Sequence, residues 1–266
     1  MTKQMRASLV IAGMALIGLF AYIETTQVEL TQHKIGLEGN SSEAITVIQV
    51  SDLHIRSMGQ RELAVVRHIS DFKPDLLVLS GDVIDDATNL PVLERFLASL
   101  DAGNKVAVLG NWEHWSGIDL SDLRALYARY GVRLLVNEQV SYRVGARRLV
   151  VAGLDDYTAG APDPLLVKGL ASNSEVSLVV QHSPGWFEAA GALNRSNTVS
   201  LCLAGHTHGG QIAPFGIVMW TPRGSGHFTA GRYELDSCPL YISRGIGTSI
   251  APLRIGARSE IALFKL

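Results

Sequence analysis

The sequence predicts an α/β fold with helices packed over buried sheets. Short, unbroken, β-branched apolar runs recur along the chain, and segments of helical spacing separate them. The chain is also long and apolar enough to bury a full core, with 266 residues, 47% of them hydrophobic and 18% charged. Such continuous apolar strands are buried on both faces, which means sheets covered by helices.

The first of these strands is Ile45–Asp52, and Gln60–Phe72 follows as a helix with Leu63, Val66, His68 and Ile69 at helical spacing. Asp75–Asp82 is a second buried strand, Leu90–Leu100 a helix, Lys105–Asn111 a third strand and Leu120–Tyr130 another helix. VRLLVNE, QVSYRV and Arg148–Leu154 read as strands, with Gly145-Ala146 as a hairpin turn between the last two. Glu175–Ser183 and Thr198–His206 are further buried strands, flanking a helix around Gly185–Leu193. The tail adds YELD, PLYISRG and EIALFKL. No internal repeat or low-complexity tract interrupts the series.

The N-terminal part is different. Ala7 to Ile23 carries no charge and spans roughly 25 Å as a helix, the short end of what crosses a bilayer. Lys3 and Arg6 precede it, and Glu24 and Glu29 follow. This bias predicts a single-pass inner-membrane anchor with a cytoplasmic N-terminus and the domain on the periplasmic or extracellular side. A cleaved signal peptide is the rival, but Tyr22, Ile23 and Glu24 crowd the place of a small-residue cleavage site. The expected organisation is an anchor over 1–23, a polar linker over 24–43 and one domain over 44–266.

Composition narrows the function. A net charge of −2 offers no basic field for nucleic acid. Two cysteines exclude a disulfide scaffold and a cysteine-rich zinc module. Five predicted strands, however, end in polar clusters. These are Ser51-Asp52-Leu53-His54, Gly81-Asp82-Val83-Ile84-Asp85, Gly110-Asn111-Trp112-Glu113-His114, Gln181-His182-Ser183 and Gly205-His206-Thr207-His208. Ligands in α/β folds bind outside the carboxyl ends of strands. One such cluster is often only a helix cap or a packed histidine, but five at successive strand ends are hard to explain by packing. Carboxylate, amide oxygen and imidazole together suit two adjacent divalent ions, manganese foremost, with iron and zinc as alternatives. A carboxylate such as Asp82 can bridge them, and a water held between them becomes a nucleophilic hydroxide near neutral pH.

The order D-x-H, G-D-x-x-D, G-N, H, G-H-x-H resembles the calcineurin-like metallophosphoesterase superfamily from about Ile45 to the end. The runs Cys202–Gln211 and Tyr241–Ser249 further resemble its bacterial membrane-associated branch. The resemblance implies a four-layer α/β/β/α sandwich. It implies one metal held by Asp52, His54, Asp82 and His208, and another by Asp82, Asn111, His182 and His206. Asp85 and Glu113 match positions that orient ligands, or are turn residues. Arg244 is a candidate phosphate contact or a structural arginine. One position departs from the family. Where a general-acid histidine follows the G-N pair, this chain has Trp112, which cannot transfer a proton. His114 is the candidate replacement; the alternatives are a substrate whose leaving group needs no proton, such as a pyrophosphate, and a reading with His114 as a surface loop residue and Trp112 as an apolar wall for the substrate. Cys202 reads as a small core residue, and a bond to Cys238 is open to an exported chain.

The expected function is a membrane-anchored, two-metal hydrolase of phosphodiester or pyrophosphate bonds. Its substrate class includes lipid-linked esters such as UDP-diacylglucosamine of the lipid A pathway, although UDP-linked lipids are cytoplasmic while the charge bias points outward. A general phosphodiesterase or protein phosphatase outside the cytoplasm is the enzymatic alternative. A metal-binding membrane module without turnover is the alternative from another class, and hydrolysis of bis-p-nitrophenyl phosphate with added manganese separates the two.

Overall fold

In the computed structural model, residues 3–36, 44–167, 170, 175–189 and 199–266 are described. Two six-stranded sheets face one another. The first has the order β1 (Val28–Lys34), β12 (Ser259–Lys265), β2 (Thr46–Val50), β3 (Leu76–Leu79), β4 (Asn104–Ala107), β5 (Val132–Leu134). From β2 to β5 the strands are parallel, β12 runs antiparallel to β2, and β1 pairs parallel with β12. The second has the order β10 (Gly231–Glu234), β11 (Pro239–Ile242), β9 (Leu201–Ala204), β8 (Glu175–Val180), β7 (Arg147–Gly153), β6 (Glu138–Val144). Its four inner strands are parallel, and antiparallel β6 and β10 close the edges.

Strand periodicity distributes the apolar side chains among three cores. In β3, Leu76 and Val78 face the second sheet, whereas Leu77 and Leu79 face α2 (Gln60–Phe72), α3 (Leu90–Ala98) and α5 (Leu120–Arg129). In β9, Leu201 and Leu203 fill the space between the sheets, while Cys202 and Ala204 face outward. That outer face is covered by Trp186 and Phe187 of α6 (Gly185–Ala189), by Leu170 and by Phe228. The expected layering is therefore present, its fourth layer thinner than the helical layer on the first sheet. Residues 190–198, where the predicted α6 helix continued, lie outside the described residues.

Two expectations need correction, and one open alternative is resolved. The stretch read as a linker over 24–43 holds β1, an edge strand of the first sheet, so the folded unit begins before Ala44. Only Val28 and Leu30 of β1 pack inward against the helical core. The rest is polar because the strand has a single neighbour, which hid it from an apolar-run criterion. Residues 37–43 lie outside the described residues. On α2, the buried aliphatic positions are Val65 and Ile69, and Leu63 is exposed. Cys202 and Cys238 form a disulfide, joining β9 to the segment leading into β11.

α1 (Lys3–Thr26) precedes β1 and is long and apolar enough to cross a membrane. Its last turn docks on the domain. Arg258 donates to Glu24, and the backbone N–H of Arg254 donates to the Thr25 hydroxyl at 2.7 Å.

Candidate metal centre

The carboxyl ends of β2, β3, β4, β8 and β9 converge at one end of the two sheets. Asp52, Asp82, His54, His206 and His208 all take positive φ, between 44° and 70°. Side chains other than glycine and asparagine rarely adopt this conformation, and it persists only where surroundings enforce it. Here backbone bonds between strand ends enforce it. Asp52 N–H donates to Gly81 O, His54 N–H to Asp82 O and Gly247 N–H to Asp52 O. The Asp52 carboxylate also accepts the backbone N–H of His206 at 3.0 Å, tying the two sheets together.

Glycine is required at positions 110 and 205. A Cβ on Gly110 would lie 2.2 Å from Asp82 Oδ1, and one on Gly205 would lie 1.9 Å from Ser51 Oγ. Neither neighbour has room to retreat, because Ser51 and Asp82 are both buried.

The side chains form two groups, each compact enough to surround one ion. Asp52, His54 and His208 make the first, and Asp82, His182 and His206 the second. Asp82 stands between them, with Oδ2 3.0 Å from His182 Nε2 and 3.9 Å from His54 Nε2. Within the first group, the Nε2 atoms of His54 and His208 face each other at 3.1 Å, and His208 Nε2 is 3.4 Å from Asp52 Oδ1. Asn111 Oδ1 is buried without a hydrogen-bond partner. A buried amide oxygen with no donor, beside converging imidazole nitrogens and carboxylates, fits a cation-binding site.

The ring orientations agree with this. His182 Nδ1 bonds the Ser80 carbonyl at 2.8 Å, leaving Nε2 for the cluster. His206 Nε2 bonds the Arg223 carbonyl at 2.8 Å, leaving Nδ1. Such outer bonds fix the tautomer of a ligating histidine. Burial lowers the His54 pKa to about 4 and that of His208 well below its usual value, keeping both rings neutral. Burial works against a charged Asp82, but His182 and the other nearby histidines hold its carboxyl down at about 2.

The remaining candidates fall in different places. The buried Glu113 carboxylate accepts the backbone N–H groups of Gly110 at 2.8 Å, Asp82 at 2.9 Å and Val83 at 2.6 Å. It thereby holds the turns bearing Asn111 and Asp82 in register. Asp85 accepts from Arg56, and its Oδ2 lies 3.9 Å from His54 Nδ1. Arg244 is turned away from the cluster, bonding Glu260 and Glu29 at 2.8 Å each, and so pins β1 to the sheet. Trp112 lines a cavity of about 950 Å³ whose floor includes Asp82, Asn111, His206 and His208. Its ring stands edge-on to His54.

His114 is absent from that lining. It sits in the short helix α4 (Asn111–Trp115), and its Nε2 bonds Asp155 Oδ1 at 2.7 Å. The end of β7 captures the ring, so His114 is not brought to the other site residues.

Sequence reading missed four residues here. Asp155 and Asp156 follow β7 as a sixth polar strand end, and Asp156 accepts from the hydroxyl of Ser183, next to His182. The same strand-end pattern could have found them. Arg223 lines the cavity as an exposed cation. Arg254 is fully buried, donating to Gly247 O at 2.8 Å and Ala257 O at 2.9 Å, with a nitrogen 3.2 Å from His208 Nδ1. Nothing around Leu253-Arg254-Ile255 signals it in the sequence.

Known proteins are similar to this chain over its length. The calcineurin-like phosphoesterase family profile matches residues 45–210, which spans the first strand end to the last. A Bacillus subtilis protein described as an uncharacterized metallophosphoesterase, YkuE, is 30% identical over 94% of this chain and 89% of its own length. A Bos taurus transmembrane protein with a metallophosphoesterase domain is 30% identical over 89% of this chain and 55% of its own length. The structure of the sulfate thiohydrolase SoxB of Thermus thermophilus superposes with a TM-score of 0.50 at 13% identity, over 86% of this chain and 58% of that one, and shows the shared fold. A profile that covers well over half the chain and ends on the G-H-x-H turn, with a relative matched along nearly its whole length, places the chain in the calcineurin-like phosphoesterase family, as a metal-dependent phosphoester hydrolase.

Proposed function

We propose that this chain is a membrane-anchored phosphoesterase acting outside the cytoplasm on phosphodiester or pyrophosphate bonds of lipid-linked substrates. One observation carries the reading. The Asp82 carboxylate stands between two compact donor groups at the open floor of a large cavity. Asp52, His54, Asp82 and His208 would hold one divalent ion, and Asp82, Asn111, His182 and His206 the other, with manganese the best match to this oxygen and nitrogen set. Two such ions supply an activated water and neutralise charge on phosphoryl oxygens. The residues themselves provide a fixed cage, and Arg223 on the cavity wall provides a cation for a further anionic group.

The leaving group follows from the placement of Trp112 and His114. Trp112 occupies the wall beside His54, and His114 is engaged by Asp155. With Trp112 at the position after Asn111 and His114 held by Asp155, bonds whose leaving group needs no proton are favoured, such as a pyrophosphate or an activated diester. The disulfide supports an oxidising compartment. That favours an exported lipid-linked ester over UDP-diacylglucosamine itself.

The test is Asp82→Ala in the full chain, with metal content and hydrolysis of bis-p-nitrophenyl phosphate measured in manganese. The expected result is loss of two-metal binding and of activity. Two metals retained in the variant would overturn the bridging role. Protease digestion of the domain in spheroplasts, with the chain retained in carbonate-washed membranes, is expected for an exported and anchored domain.

A further inference from the structure

The cavity rim carries a segment that neither the family profile nor the metal cluster explains. The profile ends at Gly210. Residues 213–222, Ala-Pro-Phe-Gly-Ile-Val-Met-Trp-Thr-Pro, contain no charge. Phe215 is 101% exposed, Met219 69%, Ile217 64% and Trp220 57%. Phe215 also takes φ of 56°, a conformation a bulky side chain rarely accepts, in a turn that directs it fully into solvent. Ile250, 79% exposed, and Trp115, 57% exposed, stand on the same rim. Contiguous exposed apolar surface of this kind marks a binding face.

The rim shares its backbone frame with the exit of α1. Ala213 N–H donates to Ile255 O at 2.7 Å, and Ile255 N–H to Gln211 O at 2.9 Å. The adjacent Arg254 N–H donates to the hydroxyl of Thr25 in the last turn of α1. Gln211 also donates to Ala251 O, fixing the Ile250 turn to the same frame. The exit of the apolar helix and the apolar rim are thus built on one set of backbone bonds, with no linker between helix and domain. A bilayer crossed by α1 meets the rim directly. The composition suits an interface, with Phe, Ile and Met at the tip, Trp220 at its base, and Arg223 next in sequence.

We infer that residues 213–222, with Ile250 and Trp115, dock the cavity mouth onto the phospholipid bilayer. A substrate's hydrocarbon then stays in the membrane while its phosphate enters between Trp112 and Trp220. This deepens the proposed lipid-linked substrate class and rests on that reading and on the anchoring by α1.

The experiment uses the full chain reconstituted into phosphatidylcholine–phosphatidylglycerol vesicles. Acyl-brominated lipid is expected to quench Trp220 and Trp115, and a Trp115→Phe, Trp220→Phe double variant to remove most of that quenching. α1 contains no tryptophan, so the signal reports the rim. In the same vesicles, phosphatidyl-p-nitrophenol is compared with soluble bis-p-nitrophenyl phosphate. Water attacks phosphorus in both, the P–O(aryl) bond breaks and p-nitrophenolate leaves. A Phe215→Ser, Ile217→Ser, Met219→Ser triple variant is expected to lose at least tenfold on the vesicle-borne ester while staying within twofold on the soluble one. Absence of quenching in the parent chain overturns the docking, as does an equal loss, or no loss, on both esters. So does a dimer in detergent that only the triple variant abolishes. Quenching in a chain that hydrolyses neither ester supports the docking and overturns the proposed action on activated diesters instead.

Discussion

The donor cluster and the 213–222 rim line one cavity, yet they are built on opposite principles. At the cluster every side chain is buried, its backbone is held by bonds from neighbouring strand ends, and strained φ values are enforced from several sides. At the rim, backbone bonds hold the base of the loop and its apolar tip stands in solvent. Chemistry that needs placement to a fraction of an ångström sits on rigid strand ends. A surface that must meet a fluid partner sits on a loop that projects. Substitutions should therefore act sharply on the floor of the cavity and weakly at its edges.

The largest effect is expected at Gly205. A methyl group there meets Ser51 and Asp52 at once, 1.9 Å and 2.4 Å from their nearest atoms. Gly205→Ala should displace Asp52, whose carboxylate also holds the His206 N–H. A shift of about 1 Å in such a site costs roughly 10²-fold in rate. Steady-state kinetics on bis-p-nitrophenyl phosphate, with calorimetry of manganese binding, should show both activity and affinity falling. Unchanged values would mean the floor is softer than the contrast with the rim requires.

Next comes Glu113→Gln. The carboxylate accepts three short backbone N–H bonds at the turns of Asp82 and Asn111. An amide nitrogen turned toward those donors leaves some of them buried and unpaired, at about 1–3 kcal/mol each. Loss of a partner that orients a ligand typically reduces metal affinity or activity by roughly 10–100-fold. Titration of metal against activity separates this loss, which excess metal partly restores, from simple unfolding.

Reduction of the Cys202–Cys238 disulfide should affect stability far more than rate. It closes a segment with sequence separation 36 on the outer face of the second sheet, away from the cavity floor. Its removal is expected to cost about 2–4 kcal/mol. Thermal unfolding with and without reductant, or of Cys238→Ser, should show a lower Tm at nearly unchanged kcat.

Legibility in the sequence follows the same contrast. Buried strands must be apolar, so Asp52, Asp82, Asn111, His182 and His206 announce themselves as polar residues at the ends of apolar runs. The parallel sheets and their order of helices follow from the same runs. β1 was illegible because an edge strand with one neighbour is held by the backbone ladder more than by apolar faces. Arg254 was illegible because its role depends on Gly247, Ala257 and Thr25 meeting around it in space. Phe215 to Trp220 carry no signal of their own, since a sequence does not tell apolar residues that are buried from apolar residues held out.

His114 offers the smallest expected effect and the finest test of the contrast, because it begins one residue after the cluster's own helix turn and ends outside it. The hydrogen bond that His114 donates to Asp155 holds its pKa above the usual histidine value, with burial opposing. A raised folded pKa means the pair stabilises the protein fully below the unfolded value near 6.5 and loses that contribution as pH rises through the folded value. With the ring 26% exposed, the contribution is modest, about 1 kcal/mol or less. His114→Gln should therefore lower Tm at pH 5.5 and leave it nearly unchanged at pH 9. Its rate on bis-p-nitrophenyl phosphate should stay within about threefold of the parent, because a general acid in contact with the leaving group contributes roughly 10²–10⁴-fold. Assays on an alkyl diester and on a pyrophosphate complete the test. Equal rates on both place His114 as a strap between α4 and the end of β7, with Trp112 shaping the substrate. A loss of 10²-fold or more confined to the alkyl diester would mean that the ring leaves Asp155 during turnover to protonate a poor leaving group, and would move His114 from the edge of the site into its mechanism.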